Sequence, residues 1–235
     1  MTTPSVFVPN SSLRNTAKLS LLAAAIFTGV ELAPAAVSVS NLTSPHASPG
    51  YEFASDLSNV SGNRVGQDLA NSFTTGADPV NLVSISVAFA GGFGSGFTAY
   101  LYEDNGGNAP GSPLLTLSGT VDPHSGGLFD FSPTGSFTLA ANTDYWAVLV
   151  ADHTAPDKRF PVYTVADFNQ TGDVGWSIGN TFASRVVNNG VPDNWIISKN
   201  DTPLQFAVNS SVVPESSTSL AIAFGLVLAA SRRRR

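Results

Sequence analysis

Val83, Ile85, Val87 and Phe89 fall at every second position of one short run, and a period of two confines such a run to a strand with one face turned inward. Clusters of Gly, Asn, Asp, Pro and Ser separate this run from others like it, and no helix-length amphipathic stretch interrupts the series. Those are the residues that tight turns require. The chain therefore reads as all-β, with strands expected at 37–42, 69–74, 80–90, 97–103, 114–121, 128–131, 137–139, 144–151, 160–165, 174–178, 182–187, 195–198 and 204–208. In 144–151, Tyr145, Ala147 and Leu149 alternate with Trp146, Val148 and Val150, so that strand is expected to be buried on both faces at the centre of the domain. Two antiparallel sheets packed face to face, a β-sandwich or jelly roll, would bury the inward rows and leave Ser84 and Ser86 to solvent. The chain has no cysteine, which removes disulfides, thiolate metal sites and Cys nucleophiles together.

Both ends carry address signals. Arg14 and Lys18 precede an apolar stretch from Leu19 to Val30, and Ala33-Pro34-Ala35 presents small residues where a signal peptidase inspects its substrate. Residues 1–35 are thus expected to be a secretory signal. At the other end Val213, Pro214, Glu215 and Ser216 lead into an apolar run carrying Leu220, Ile222, Phe224, Leu226 and Leu228, closed by Arg232, Arg233, Arg234 and Arg235. As a helix, 219–230 would reach only about 18 Å against a hydrocarbon core of about 30 Å, so the span is marginal. The four arginines would hold its end on the cytoplasmic side. The expected organisation is a signal at 1–35, a β-sandwich domain at 36–209 and a sorting tail at 210–235.

The tail resembles a bacterial PEP-CTERM sorting signal, departing from it at Ser216, where that family has a second proline. The resemblance implies recognition by an exosortase, a membrane-embedded cysteine transpeptidase-like enzyme, and transient anchoring in the inner membrane before cleavage. An uncleaved tail anchor is the plainer alternative. Within the body, Ser72-Phe73-Thr74-Thr75-Gly76, then Leu101-Tyr102 followed by Asp104-Asn105-Gly106-Gly107-Asn108-Ala109-Pro110-Gly111, then Leu139-Ala140-Ala141-Asn142-Thr143-Asp144-Tyr145-Trp146 resemble the choice-of-anchor R type domain of bacterial surface proteins. That resemblance runs from about Leu57 to Val208 and implies an exported β-rich domain without catalytic activity. On physical grounds, Asn105-Gly106-Gly107-Asn108 is expected to supply positive φ for a loop, and Pro110-Gly111 a turn before the next strand.

Charge narrows the partners. Between Ala36 and Pro214 there are five basic and fifteen acidic residues, a net charge near −10 against −6 for the whole chain. Such a surface repels phosphate backbones, so nucleic acid is excluded as a partner. The three histidines, His46, His124 and His153, have no metal-ligand spacing. Gly94-Ser95-Gly96 lacks the outer glycines of a nucleophile elbow, and Gly94, Gly96 and Ala99 run into the strand expected at 97–103, where a dinucleotide site needs a helix. Asp130 and Asp144 are the acids that could enter a glycosidase-like pair, which sequence alone cannot bring across a cleft.

Binding roles have more support. Asp152, Asp157, Asp167, Asn169 and Asp173 fall in a loop-rich stretch whose oxygen donors could hold Ca²⁺, with solvated loop acids the simpler reading and no cofactor expected. Trp176 and Trp195 could stack on sugar rings if both were exposed on one face, while Trp146 belongs to the core. The function expected is that of a non-enzymatic exported surface or extracellular-matrix protein, handled by signal peptidase and exosortase. A carbohydrate-binding module contacting extracellular polysaccharide is the alternative, and an exported hydrolase a distant third.

Overall fold

The computed structural model describes residues 35–43, 49–60, 63–92, 96–119, 122–154, 158–165, 170–199 and 202–213. Pro34–Val213 forms one compact unit. The described residues hold strands and turns and no helix, as the period-two pattern requires. In chain order the strands are β1 (Ala36–Ser40), β2 (Pro49–Val60), β3 (Asn63–Thr74), β4 (Val80–Phe89), β5 (Phe97–Asp104), β6 (Pro110–Gly119), β7 (Gly127–Pro133) and β8 (Thr138–Leu139). They continue as β9 (Asp144–Ala151), β10 (Arg159–Tyr163), β11 (Thr171–Gly172), β12 (Ser177–Asn188), β13 (Val191–Pro192), β14 (Ile196–Lys199) and β15 (Phe206–Val212).

Pairing closes eight of these strands into a ring in the order β10-β2-β3-β9-β5-β6-β7-β4, with β4 returning to β10 through Val162 opposite Phe89. The expected pair of separate sheets is therefore replaced by one continuous hydrogen-bonded sheet. The physical reason lies in strands that change partner along their length. Leu117 of β6 faces Ala99 of β5 and also Pro133 of β7. In β2, Tyr51 and Phe53 pair with β10, while Ser58 to Val60 pair with β3 across a register shift. A strand that turns a corner joins two layers and removes the open edge between them. Outside the ring, β15, β1 and β11 extend from β4, while β12 extends from β3 and carries β13 and β14.

The main core fills the ring with phenylalanine. Phe53, Phe97 and Phe160 meet with centroids 4.9–5.2 Å apart, and Phe73, Phe89, Phe131 and Phe206 continue the cluster. Burying each such side chain stabilises the fold by about 1.5–3 kcal/mol. Strand β9 behaves as its sequence demands. Tyr145, Ala147 and Leu149 enter the main core, whereas Trp146 and Val148 enter a second cluster with Ala70, Tyr102 and Ala183.

Several expectations need correction. Ser84 and Ser86 are buried, not solvent-facing. They lie on β4 between β7 and β15, where Asn209 Nδ2 donates to both hydroxyls at 2.9 Å and Ser86 Oγ donates to Asp130. A period of two assigns a face, and neighbours on both sides then decide exposure. Val174 sits in a turn and is almost wholly exposed. The segments expected at 174–178 and 182–187 are instead served by a single strand, β12, with a register shift between Ile178 and Phe182. Pro110 and Gly111 open β6, with Pro110 opposite Asp104, so they are strand residues and not a separate turn.

Candidate functional site

The three motifs of the body are far apart in sequence and meet at one end of β3, β9 and β5. Register brings Thr74 opposite Asp144 and Tyr102 opposite Trp146. Just past β3, the Thr75 hydroxyl donates to the Ala140 carbonyl at 2.6 Å and accepts from Thr143 N at 2.9 Å, while Asn142 N donates to the Gly76 carbonyl at 2.8 Å. The Tyr145 hydroxyl accepts from Ala140 N, and Thr74 Oγ1 donates to Asp144 Oδ1. From the middle motif, Asp104 Oδ1 accepts from the buried Trp146 indole at 2.9 Å, and its Oδ2 accepts from Gly106 N at 2.8 Å and more weakly from Asn108 N. Gly106 and Asn108 have positive φ, as that loop was expected to need.

The resulting surface is an open dish of about 460 Å³ lined by Glu103, Asp104, Leu114, Asn142, Asp144 and Tyr145, with no basic side chain among the described residues of its wall. Asp104 has both oxygens committed to the loop and to Trp146, so it builds the site more than it offers itself to a ligand. Glu103 and Asp144 supply exposed acceptor oxygens, and Leu114 an exposed apolar contact. The dish can therefore accept hydrogen bonds from hydroxyl or amino groups.

A second constellation escaped the sequence reading. Asp68, fully buried in β3, accepts from Arg185 Nε of β12 at 2.7 Å, from His153 Nε2 at 2.8 Å and from Ala151 N at 3.2 Å. The Arg185 guanidinium carbon stands 4.6 Å from the centre of the Trp195 ring, a cation–π distance. Beside it, burial pushes the Tyr102 phenol above its ordinary range, and the positive charge of Arg185 opposes that shift. Among the described residues His153 Nδ1 is buried without a hydrogen-bond partner, and a Cβ on Gly66 would come within 2.3 Å of it. Gly66 is thus the seat of the imidazole. The one signal available in the sequence was an Asp in phase with the buried face of a strand.

The other candidates disperse. Trp176 packs on the main core, its ring nearly parallel to Phe73 with centroids 6.5 Å apart. Trp195 packs instead on the second cluster, so the two indoles attach to different cores. Asp152 follows β9, and its carboxyl is held below the usual range by hydrogen bonds from the Thr154 hydroxyl and backbone. Asp173 follows β11, where its N–H donates to the Ser38 carbonyl. Asp157, Asp167 and Asn169 lie outside the described residues, and among those described no group of three or more His, Asp or Glu side chains comes together to hold a metal. Asp130 and Asp144 take hydroxyl donors from different strands, β4 and β3 respectively. Ser95 and His46 lie outside the described residues, as do the expected secretory signal before Ala35 and the expected sorting tail from Pro214 to Arg235; Val213, the first residue singled out there, is partly exposed at the end of the domain.

Comparison with models of known families, with curated proteins and with solved structures yields no match for this chain.

Proposed function

We propose that this chain is a non-enzymatic exported surface or extracellular-matrix protein, carried across the membrane by its N-terminal signal and sorted through an exosortase-type signal at its C-terminus. The observation that carries the reading is the order of the tail: Pro214-Glu215, then the apolar run from Leu220 to Ala230, then four arginines. That order holds a chain briefly at the inner face of a membrane and presents a cleavable segment just outside it. The compact unit ends at Val213, immediately before that segment. In this reading signal peptidase and exosortase are processing partners, the membrane contact is transient, and the acidic body faces the cell exterior, where polysaccharide is the surrounding material. The eight-strand ring is read as a flattened jelly roll, because β2 and β6 turn corners between two layers that enclose the phenylalanine core.

Substitution in the apolar run tests the membrane step. An arginine at the centre of such a helix costs about 2.5–3.5 kcal/mol on insertion scales, so Gly225→Arg should abolish retention of the full-length chain in the membrane fraction. Replacing Arg232 to Arg235 with serine should let the tail slip through and release unprocessed protein. Membrane retention unchanged in both variants would rule out the sorting step.

A further inference from the structure

We propose that the loop between β5 and β6 is a self-modification site, at which Asn105 converts spontaneously to an aspartyl or isoaspartyl residue because the fold surrounds it with the two groups that reaction needs. The chemistry is ring closure within the chain. Gly106 N attacks Asn105 Cγ, the N–Cγ bond forms, the Cγ–Nδ2 bond breaks, and Nδ2 departs as ammonia with the proton released by Gly106 N. Solvent water then adds to the succinimide. Opening at Cγ gives aspartate; opening at the backbone carbonyl gives isoaspartate.

Two requirements govern the rate: the attacking N–H must be made nucleophilic, and the carbonyl oxygen must be stabilised as it gains charge. Asp104 Oδ2 accepts the hydrogen bond of that same Gly106 N–H at 2.8 Å, the position of a general base. Gly107 N–H donates to Asn105 Oδ1 at 2.7 Å, the position of an oxyanion donor. The amide orientation is fixed chemically, since a backbone N–H must face the oxygen and not the NH₂ group. Asp104 is itself held by the Trp146 indole, and the loop is closed by Asn105 N donating to the Ala109 carbonyl at 3.0 Å. Gly106, at φ +79°, has no described atom other than those of Asn105 and Gly107 within 4 Å of where a Cβ would stand, so the loop has room to rearrange there. Conversion would add a carboxylate beside Asp104 at the rim of the acidic dish, and the isoaspartyl form would lengthen the loop backbone by one carbon. This inference is independent of the sorting reading.

The chain offers its own comparison, because Asn189-Gly190 repeats the dipeptide in the turn between β12 and β13. Purified protein should be incubated at neutral pH folded and in urea, and both asparagines followed by peptide mass mapping with isoaspartate-selective fragmentation. In urea the two sites should convert at similar rates. In the folded protein Asn105 should convert about tenfold faster than in urea, the rate equivalent of one hydrogen bond that strengthens in the transition state. Asp104→Asn, which keeps an acceptor but removes the charge, should return the folded rate towards the urea value. A folded rate at Asn105 equal to or below the urea rate would overturn the proposal, and an unchanged rate in Asp104→Asn would overturn the role of Asp104 as the base.

Discussion

Asp68 is fully buried, and three donors from two other parts of the chain converge on its carboxyl: the Ala151 amide, the His153 imidazole and the Arg185 guanidinium. Removing one member of a buried ion pair leaves the other charge uncompensated, which typically costs about 3–5 kcal/mol. Asp68→Ala should lose that much in urea unfolding, and the paired replacement Asp68→Leu with Arg185→Met should recover most of it; a single-variant loss below about 1 kcal/mol would show that the pair carries little. Tyr102 adds a pH dependence with a definite sign. Its phenol is raised by burial, so the neutral form is favoured by folding; its contribution is present below the ordinary phenol value of about 10 and is lost as pH rises through the higher folded value. Tyr102→Phe should therefore blunt the alkaline limb of a stability profile, and an unchanged limb would contradict the assignment. None of this cluster was legible as a unit in the sequence, since 85 residues separate Asp68 from His153 and 117 separate it from Arg185.

At the scale of elements, legibility followed periodicity. The bounds of β4 and β9 could be read almost to the residue, β4 from the alternation of Ile85, Val87 and Phe89 and β9 from an unbroken apolar run. Val83, expected in the same inward row of β4, is the exception: at the register shift between β4 and β15, Leu82 enters the core and Val83 stays partly exposed. Strand β2 was not foreseen: Pro49-Gly50-Tyr51-Glu52-Phe53 offers only Tyr51 and Phe53 at alternate positions, amid residues that usually mark turns. Closure of the ring was equally hidden, since it depends on β2 and β6 exchanging partners part-way along, and pairing is not written in either strand alone. The site shows the same limit. Its three motifs could be picked out singly, but their joining through Thr75, Tyr145 and Asp104 depends on hydrogen bonds across the sheet. Strand β9 provides the test of the two-sided core. Trp146, fully buried in the second cluster and bonded to Asp104, should cost about 3–5 kcal/mol when truncated to alanine. A loss below about 1 kcal/mol on chemical denaturation would mean that the second cluster is not a core.

For the molecule as a whole, an acidic body without cysteine must draw its stability from packing, and the continuous phenylalanine core supplies it. The ring also closes its eight strands on themselves and so removes the open edges they would otherwise present for association. The functional account rests on what happens at the junction after Val213, where the compact unit gives way to Pro214-Glu215 and the apolar run. Intact-mass spectrometry of the full chain, expressed in a host that carries an exosortase and in one that lacks it, tests this most directly. The account predicts a mature form ending near Pro214 in the first host and a longer, membrane-held form retaining Arg235 in the second. Identical masses that retain Arg235 in both hosts would contradict it and leave a simple tail anchor in its place.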